Sequence, residues 1–144
     1  MEQRLTFITL GADNLTLLRE FYTTVFGWTP IAENKDIVFF KLNGIMLGIF
    51  GRDGLAEASG VASEGTGFRS FTLAYNVETK DEIDPLYEKL KYKGVKVLKE
   101  PENTPYGGYN FIIADPEGNV FEFAWNPFLL MDDNGDVITH HAIE

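Results

Sequence analysis

The chain is written twice, and that repeat limits the folds open to it. A strand-like apolar run spans Leu5 to Leu10. Asn14 can then cap a helix in which Leu18, Phe21, Tyr22 and Val25 recur at i, i+3, i+4 and i+7, giving one apolar face. Gly27 stands where such a helix would end. Three extended segments follow: Trp28 to Ala32, Asp36 to Lys41, and Ile45 to Phe50, the last preceded by the hairpin signal Asn43-Gly44. The second half repeats this order. Phe71 to Tyr75 reads as a strand, Thr79-Lys80-Asp81-Glu82 has capping-box form, and Ile83, Leu86, Tyr87 and Leu90 restore the helical spacing up to Gly94. Val95 to Lys99, Tyr109 to Ala114 and Asn119 to Trp125 complete it, with Asp115-Pro116-Glu117-Gly118 as the final turn. Pro85 predicts a delayed or kinked start to the second helix.

Each half is therefore βαβββ, with a period of roughly 60–65 residues, longer than most solenoid repeats. Two copies imply a single α+β domain built from two modules rather than an open array. Module one is expected over residues 4–50, a Gly-, Ala- and Ser-rich linker over 51–67, and module two over 68–127. The tail, 128–144, turns polar from Met131 and is expected to be partly disordered.

Composition narrows the function. The net charge of −10 disfavours nucleic acid and anionic membrane surfaces, since both need a basic face. No apolar run reaches membrane-spanning length, and Met1-Glu2-Gln3-Arg4 lacks a signal-peptide pattern, so a cytoplasmic protein is expected. The chain has no cysteine, which removes disulfides, thiolate metal sites and Cys nucleophiles.

One residue stands out inside this frame. Glu122 occupies an otherwise apolar strand, where an unpaired carboxylate is costly to bury. Strand alternation puts Phe121, Phe123 and Trp125 on one side, the expected core, and Val120, Glu122 and Ala124 on the other. Two readings stand for Glu122: a ligand-orienting acceptor or general base, or a carboxylate held by a neighbouring polar side chain. Tyr106 and Tyr109 flank Gly107-Gly108. They read either as an aromatic lid that stacks on a planar ligand, the reading preferred, or as cover for a sheet edge.

Three sequence elements carry a family resemblance. They are Glu20-Phe21-Tyr22 followed by Phe26-Gly27-Trp28, the loop Pro105 to Phe111, and the spacing D-P-x-G-x-x-x-E from Asp115 to Glu122. Together with the doubled βαβββ order, over Leu5 to Pro127, they resemble the vicinal oxygen chelate superfamily. That group includes glyoxalase I, extradiol dioxygenases, fosfomycin-resistance transferases and bleomycin-resistance proteins. Tyr109 stands where that loop often has Arg. The resemblance implies a curved mixed sheet around a cleft, with helices on the convex face. In metal-using members, four cleft residues hold a divalent ion that polarises substrate oxygens. One comes from the first strand and one from the last strand of each module.

Carried onto this chain, the first position falls on or near Phe7 and the second-module equivalent near Ser70. Module one's last strand, Ile45 to Phe50, offers no ligand, and only Glu122 survives. His140 and His141 are adjacent and near the C-terminus, so they cannot supply imidazoles from separate strands. No metal and no cofactor are therefore expected, with Phe7 filling the vacated space. The leading expectation is a metal-free protein, of the bleomycin-resistance kind, that binds a small aromatic or amphipathic molecule. Phe7, Ser70, Tyr106, Tyr109 and Glu122 are its expected contacts, and a homodimer its expected state. The alternative is a lyase, isomerase or dioxygenase using Glu122 as base or metal ligand.

Overall fold

The computed structural model describes residues 2, 3 and 5–142, so Arg4, where module one was expected to begin, and the last two residues of the tail lie outside the described residues. The chain forms two compact units, Met1–Gly67 and Phe68–Glu144.

In the first unit, β1 (Phe7–Ala12) leads into α1 (Leu15–Glu20). Asn14 is extended, and its side chain accepts from the Leu17 amide at 3.0 Å, as its capping role requires. The helix widens directly into a π turn, Phe21–Val25. The Thr23 and Thr24 hydroxyls both donate to the Glu20 carbonyl there, at 3.1 and 2.7 Å, a back-bond that competes with the regular ladder. β2 (Ala32–Glu33), β3 (Ile37–Lys41) and β4 (Met46–Gly51) follow. The sheet order is β1-β4-β3-β2, with β1 parallel to β4 and the other pairs antiparallel. Leu18 and Tyr22 of the helical segment pack with Leu10, Val38, Phe40, Leu47 and Ile49, all buried. Tyr22 stacks on Trp28 at 5.5 Å and lies 5.8 Å from Phe40, fixing which sheet face the helix covers.

The linker is not wholly irregular. Its first part is α2 (Arg52–Ser59), which buries no residue and so has no apolar stripe to betray it in the sequence. Arg52 pins the rest, donating to the Ser63 and Gly65 carbonyls at 2.7 and 2.6 Å.

The second unit has β5 (Leu73–Asn76), a 3-10 turn (Lys80–Glu82), α3 (Ile83–Tyr92), β6 (Lys96–Asn103), β7 (Tyr109–Ala114) and β8 (Val120–Trp125). The capping box is present, with the Thr79 amide donating to Glu82 at 2.7 Å. Pro85 falls in the first turn of α3, where its missing N–H costs little. The sheet order, β5-β8-β7-β6, repeats that of the first unit. Its core joins Ile83, Tyr87 and Leu90 to Phe111, Ile113, Phe121 and Phe123. Phe111 stacks on Phe123 with centroids 5.0 Å apart and meets Tyr87 edge-on at 5.3 Å.

The fold is thus α+β, with the βαβββ order in both units. The tail differs from expectation. β9 (Leu129–Met131) and β10 (Val137–His140) form an antiparallel ribbon. The Asp132 carboxylate closes its turn by accepting from the Asn134 and Asp136 amides, each at 2.9 Å. A polar sequence that looked disordered is ordered by its own side-chain-to-backbone bonds. Among the described residues, no helix is long and apolar enough to cross a membrane.

Candidate functional site

In the second unit the two sheet faces have different chemistry. Phe121 and Phe123 point to α3, so Glu122 projects from the opposite, open face. The register places Ile112 and Ala74 on either side of it. Asn110 shares that face, buried one step along β7, and its amide donates to Glu122 Oε1 at 2.6 Å. The carboxylate is half-buried, and among the described residues Asn110 is its one hydrogen-bond partner. One oxygen is thereby fixed by Asn110. Sequence reasoning missed Asn110. Its signal was an Asn in the apolar run Tyr109–Ala114, at the parity that a hairpin through Asp115–Gly118 gives to Glu122's face.

Gly108 immediately precedes β7. A side chain there would meet the Tyr106 ring at 2.6 Å and the Trp125 carbonyl oxygen at 2.7 Å. Tyr106 thus packs against Gly108 and is 46% exposed.

Tyr109 does not join Glu122 and Asn110. It shares parity with Phe111 and Ile113, and its hydroxyl donates to Asp84 Oδ1 of α3 at 2.9 Å. Glu122 and Tyr109 are thus on opposite faces of one sheet. The hydrogen bond to Asp84 holds the Tyr109 phenol above its ordinary value of 10.0, with desolvation and the Asp84 charge pushing the same way.

Ser70 lies three residues before β5, exposed and in left-handed backbone at φ 62°. The strand register favours Thr72 instead. In the first unit Phe7 is two residues before Thr9, the partner of Gly48; in the second, Thr72 is two residues before Ala74, the partner of Glu122. Gly48 and Glu122 are each the third residue of a six-residue last strand. Phe7 itself meets Phe39 edge-on at 5.4 Å, and its 45% exposure marks it as open-face surface rather than core.

The four equivalent positions are therefore Phe7, Gly48, Thr72 and Glu122, which offer one carboxylate and one hydroxyl. That set does not fit a divalent ion. Among the described residues no three His, Asp or Glu side chains gather where they could hold a metal. His140 is engaged in the ribbon, with Nε2 at 3.2 Å from the Asn126 amide and Nδ1 at 2.6 Å from the His141 carbonyl.

Comparison with known proteins agrees with this architecture. The sequence model of the Glyoxalase/Bleomycin resistance protein/Dioxygenase superfamily matches residues 4–123. A glyoxalase-related enzyme from Fulvimarina pelagi is 34% identical, with 97% of this chain and 100% of that one covered at a TM-score of 0.87. A glyoxalase/bleomycin resistance protein/dioxygenase family enzyme from Burkholderia phytofirmans PsJN is 25% identical over 83% of this chain and 96% of its own, with a TM-score of 0.73. A lactoylglutathione lyase from Agrobacterium tumefaciens shares the fold at 24% identity and a TM-score of 0.70, over 88% of this chain and 96% of that one.

Proposed function

The chain belongs to the Glyoxalase/Bleomycin resistance protein/Dioxygenase superfamily, and from that premise we propose that it binds a small aromatic or amphipathic molecule, without a divalent ion, on the open face that carries Glu122. The observation behind this reading is the Glu122–Asn110 pair: a half-buried carboxylate with one oxygen fixed at 2.6 Å and the other free to accept. An accepting carboxylate in a protein of net charge −10 favours neutral or cationic partners. Tyr106, exposed on the loop that leads into β7, supplies aromatic surface for stacking. A homodimer in the cytoplasm goes with this reading.

The test is fluorescence titration with ethidium, a planar aromatic cation, on wild type and Glu122→Gln. Glu122→Gln keeps shape and an acceptor oxygen but removes the charge, so affinity should fall about tenfold, the scale of one charge-assisted contact. Equal affinity in both proteins would make Glu122 a structural side chain only. Elemental mass spectrometry of untagged protein is the companion measurement. About one equivalent of a transition metal per chain, lost on Glu122→Ala, would overturn the metal-free reading.

A second reading has its own support. The Fulvimarina pelagi relative is described as an enzyme, and a carboxylate with one anchored and one available oxygen has the form of a general base. In that case Glu122 would take a proton from a bound substrate, and Glu122→Gln would abolish turnover while leaving binding intact.

A further inference from the structure

The Thr104–Gly108 loop joins β6 to β7, and the pair that closes it is Asn103 and Tyr109, which are cross-strand partners. Directly opposed residues share a face, so both side chains lie on the side of α3. Two residues from the start of the helical segment reach them there. Lys80 Nζ donates to Asn103 Oδ1 at 3.1 Å and sits 4.8 Å from the centre of the Tyr109 ring. Asp84 accepts the Tyr109 hydroxyl at 2.9 Å. These four line a shallow depression together with Asp81.

The loop itself is a stiff unit. The Gly107 amide donates to the Thr104 carbonyl at 3.0 Å, and the Gly108 amide to the Thr104 hydroxyl at 2.8 Å. The Thr104 amide returns a bond to the Gly108 carbonyl at 2.9 Å. The loop so closed carries Tyr106, and its base is held on the α3 side. The clamp is made of exposed polar contacts, each weak enough to open and reform.

We propose that Lys80, Asp84, Asn103 and Tyr109 form a latch that sets the position of the Thr104–Gly108 loop, and with it the approach of a bound molecule to Glu122. These are positioning residues; the second half of the proposal rests on the Glu122 face being the binding face.

Amide hydrogen exchange at Gly107 and Gly108 reads the loop without any ligand. Tyr109→Phe keeps the ring over which Lys80 sits and removes one hydrogen bond, so exchange should quicken about fivefold, the scale of one such bond. Asp84→Ala should do the same. Asp84→Asn keeps an acceptor oxygen and should restore slow exchange, which a general disturbance of α3 would not allow. Unchanged exchange in Tyr109→Phe and Asp84→Ala overturns the latch, and so does equal acceleration in Asp84→Asn. Ethidium titration of the same proteins then tests the coupling, with two- to fivefold weaker binding expected in Tyr109→Phe. Quickened exchange with unchanged ethidium affinity overturns the link to Glu122. Quickened exchange in a protein whose wild type does not bind ethidium supports the latch and overturns the functional reading instead.

Discussion

Gly48 and Glu122 occupy the same place in two copies of one module, and their surroundings have diverged. At Gly48 an added Cβ would lie 3.2 Å from the Thr9 hydroxyl and 3.3 Å from the Phe39 ring, so the first unit fills the position with its neighbours. At Glu122 the flanking residues are Ala74 and Ile112, which leave room for a carboxylate and for Asn110 to hold it. The helix-covered faces have not diverged in this way. Both are sealed by large apolar side chains, Tyr22 and Phe40 in one and Phe111 and Ile113 in the other. Packing constrains the covered face of each module; the open face is free to become aromatic in one and polar in the other.

The largest expected effects test the conserved half of that contrast. Phe40→Ala and Phe111→Ala each remove a fully buried ring. Each should cost about 3–5 kcal/mol, measured by denaturant unfolding. A loss near 1 kcal/mol in either would show that the two covered faces are not equivalent cores.

A smaller effect tests the divergent half. Gly48→Glu puts a carboxylate into the first unit at Glu122's place. It should destabilise by about 1–3 kcal/mol, because the Phe39 ring and the Thr9 hydroxyl must give way. Adding Phe39→Ala should recover part of that loss, a positive coupling readable in a double-mutant cycle. Additive costs would mean that Phe39 does not fill the space a ligand side chain would need.

How much of this was legible follows from the same physics. The repeat, both amphipathic helices and the face of Glu122 were readable because helix and strand periods are set by burial, and burial on the covered faces is strict. Thr72 was legible too: it stands seven residues before the cap Thr79, as Phe7 stands seven before the cap Asn14, so the reading on Ser70 fell two residues too far back. Tyr109 was misplaced for a different reason. The loop from Pro105 to Phe111 was read as one motif, whereas the parity of Tyr109 with Phe111 and Ile113 already assigned it to the helix side. The helix α2 and the tail ribbon were invisible because neither is organised by an apolar stripe. α2 buries nothing, and the ribbon's turn is closed by Asp132 accepting backbone amides.

The smallest expected effect separates the units by pH. In the first unit Arg19 of α1 makes a two-pronged contact with Glu33 of β2, its second nitrogen donating at 2.7 Å. That hydrogen bond holds the Glu33 carboxyl below its ordinary value of 4.5. A depressed carboxyl stabilises above its unfolded value, and the contribution is lost as pH falls through the folded one. In the second unit Tyr109 is displaced upward from 10.0, chiefly by its bond to Asp84. A raised phenol stabilises below its unfolded value, and the contribution is lost as pH rises through the folded one. Arg19→Met should therefore flatten a shallow acid limb below about pH 4.5, and Tyr109→Phe an alkaline limb above about pH 10, in thermal unfolding followed across pH. Both contacts are exposed, so the changes should be small and should fade in high salt for the Arg19 pair. An acid limb that survives Arg19→Met, or an alkaline limb that survives Tyr109→Phe, would move the titrating group elsewhere and remove that half of the contrast.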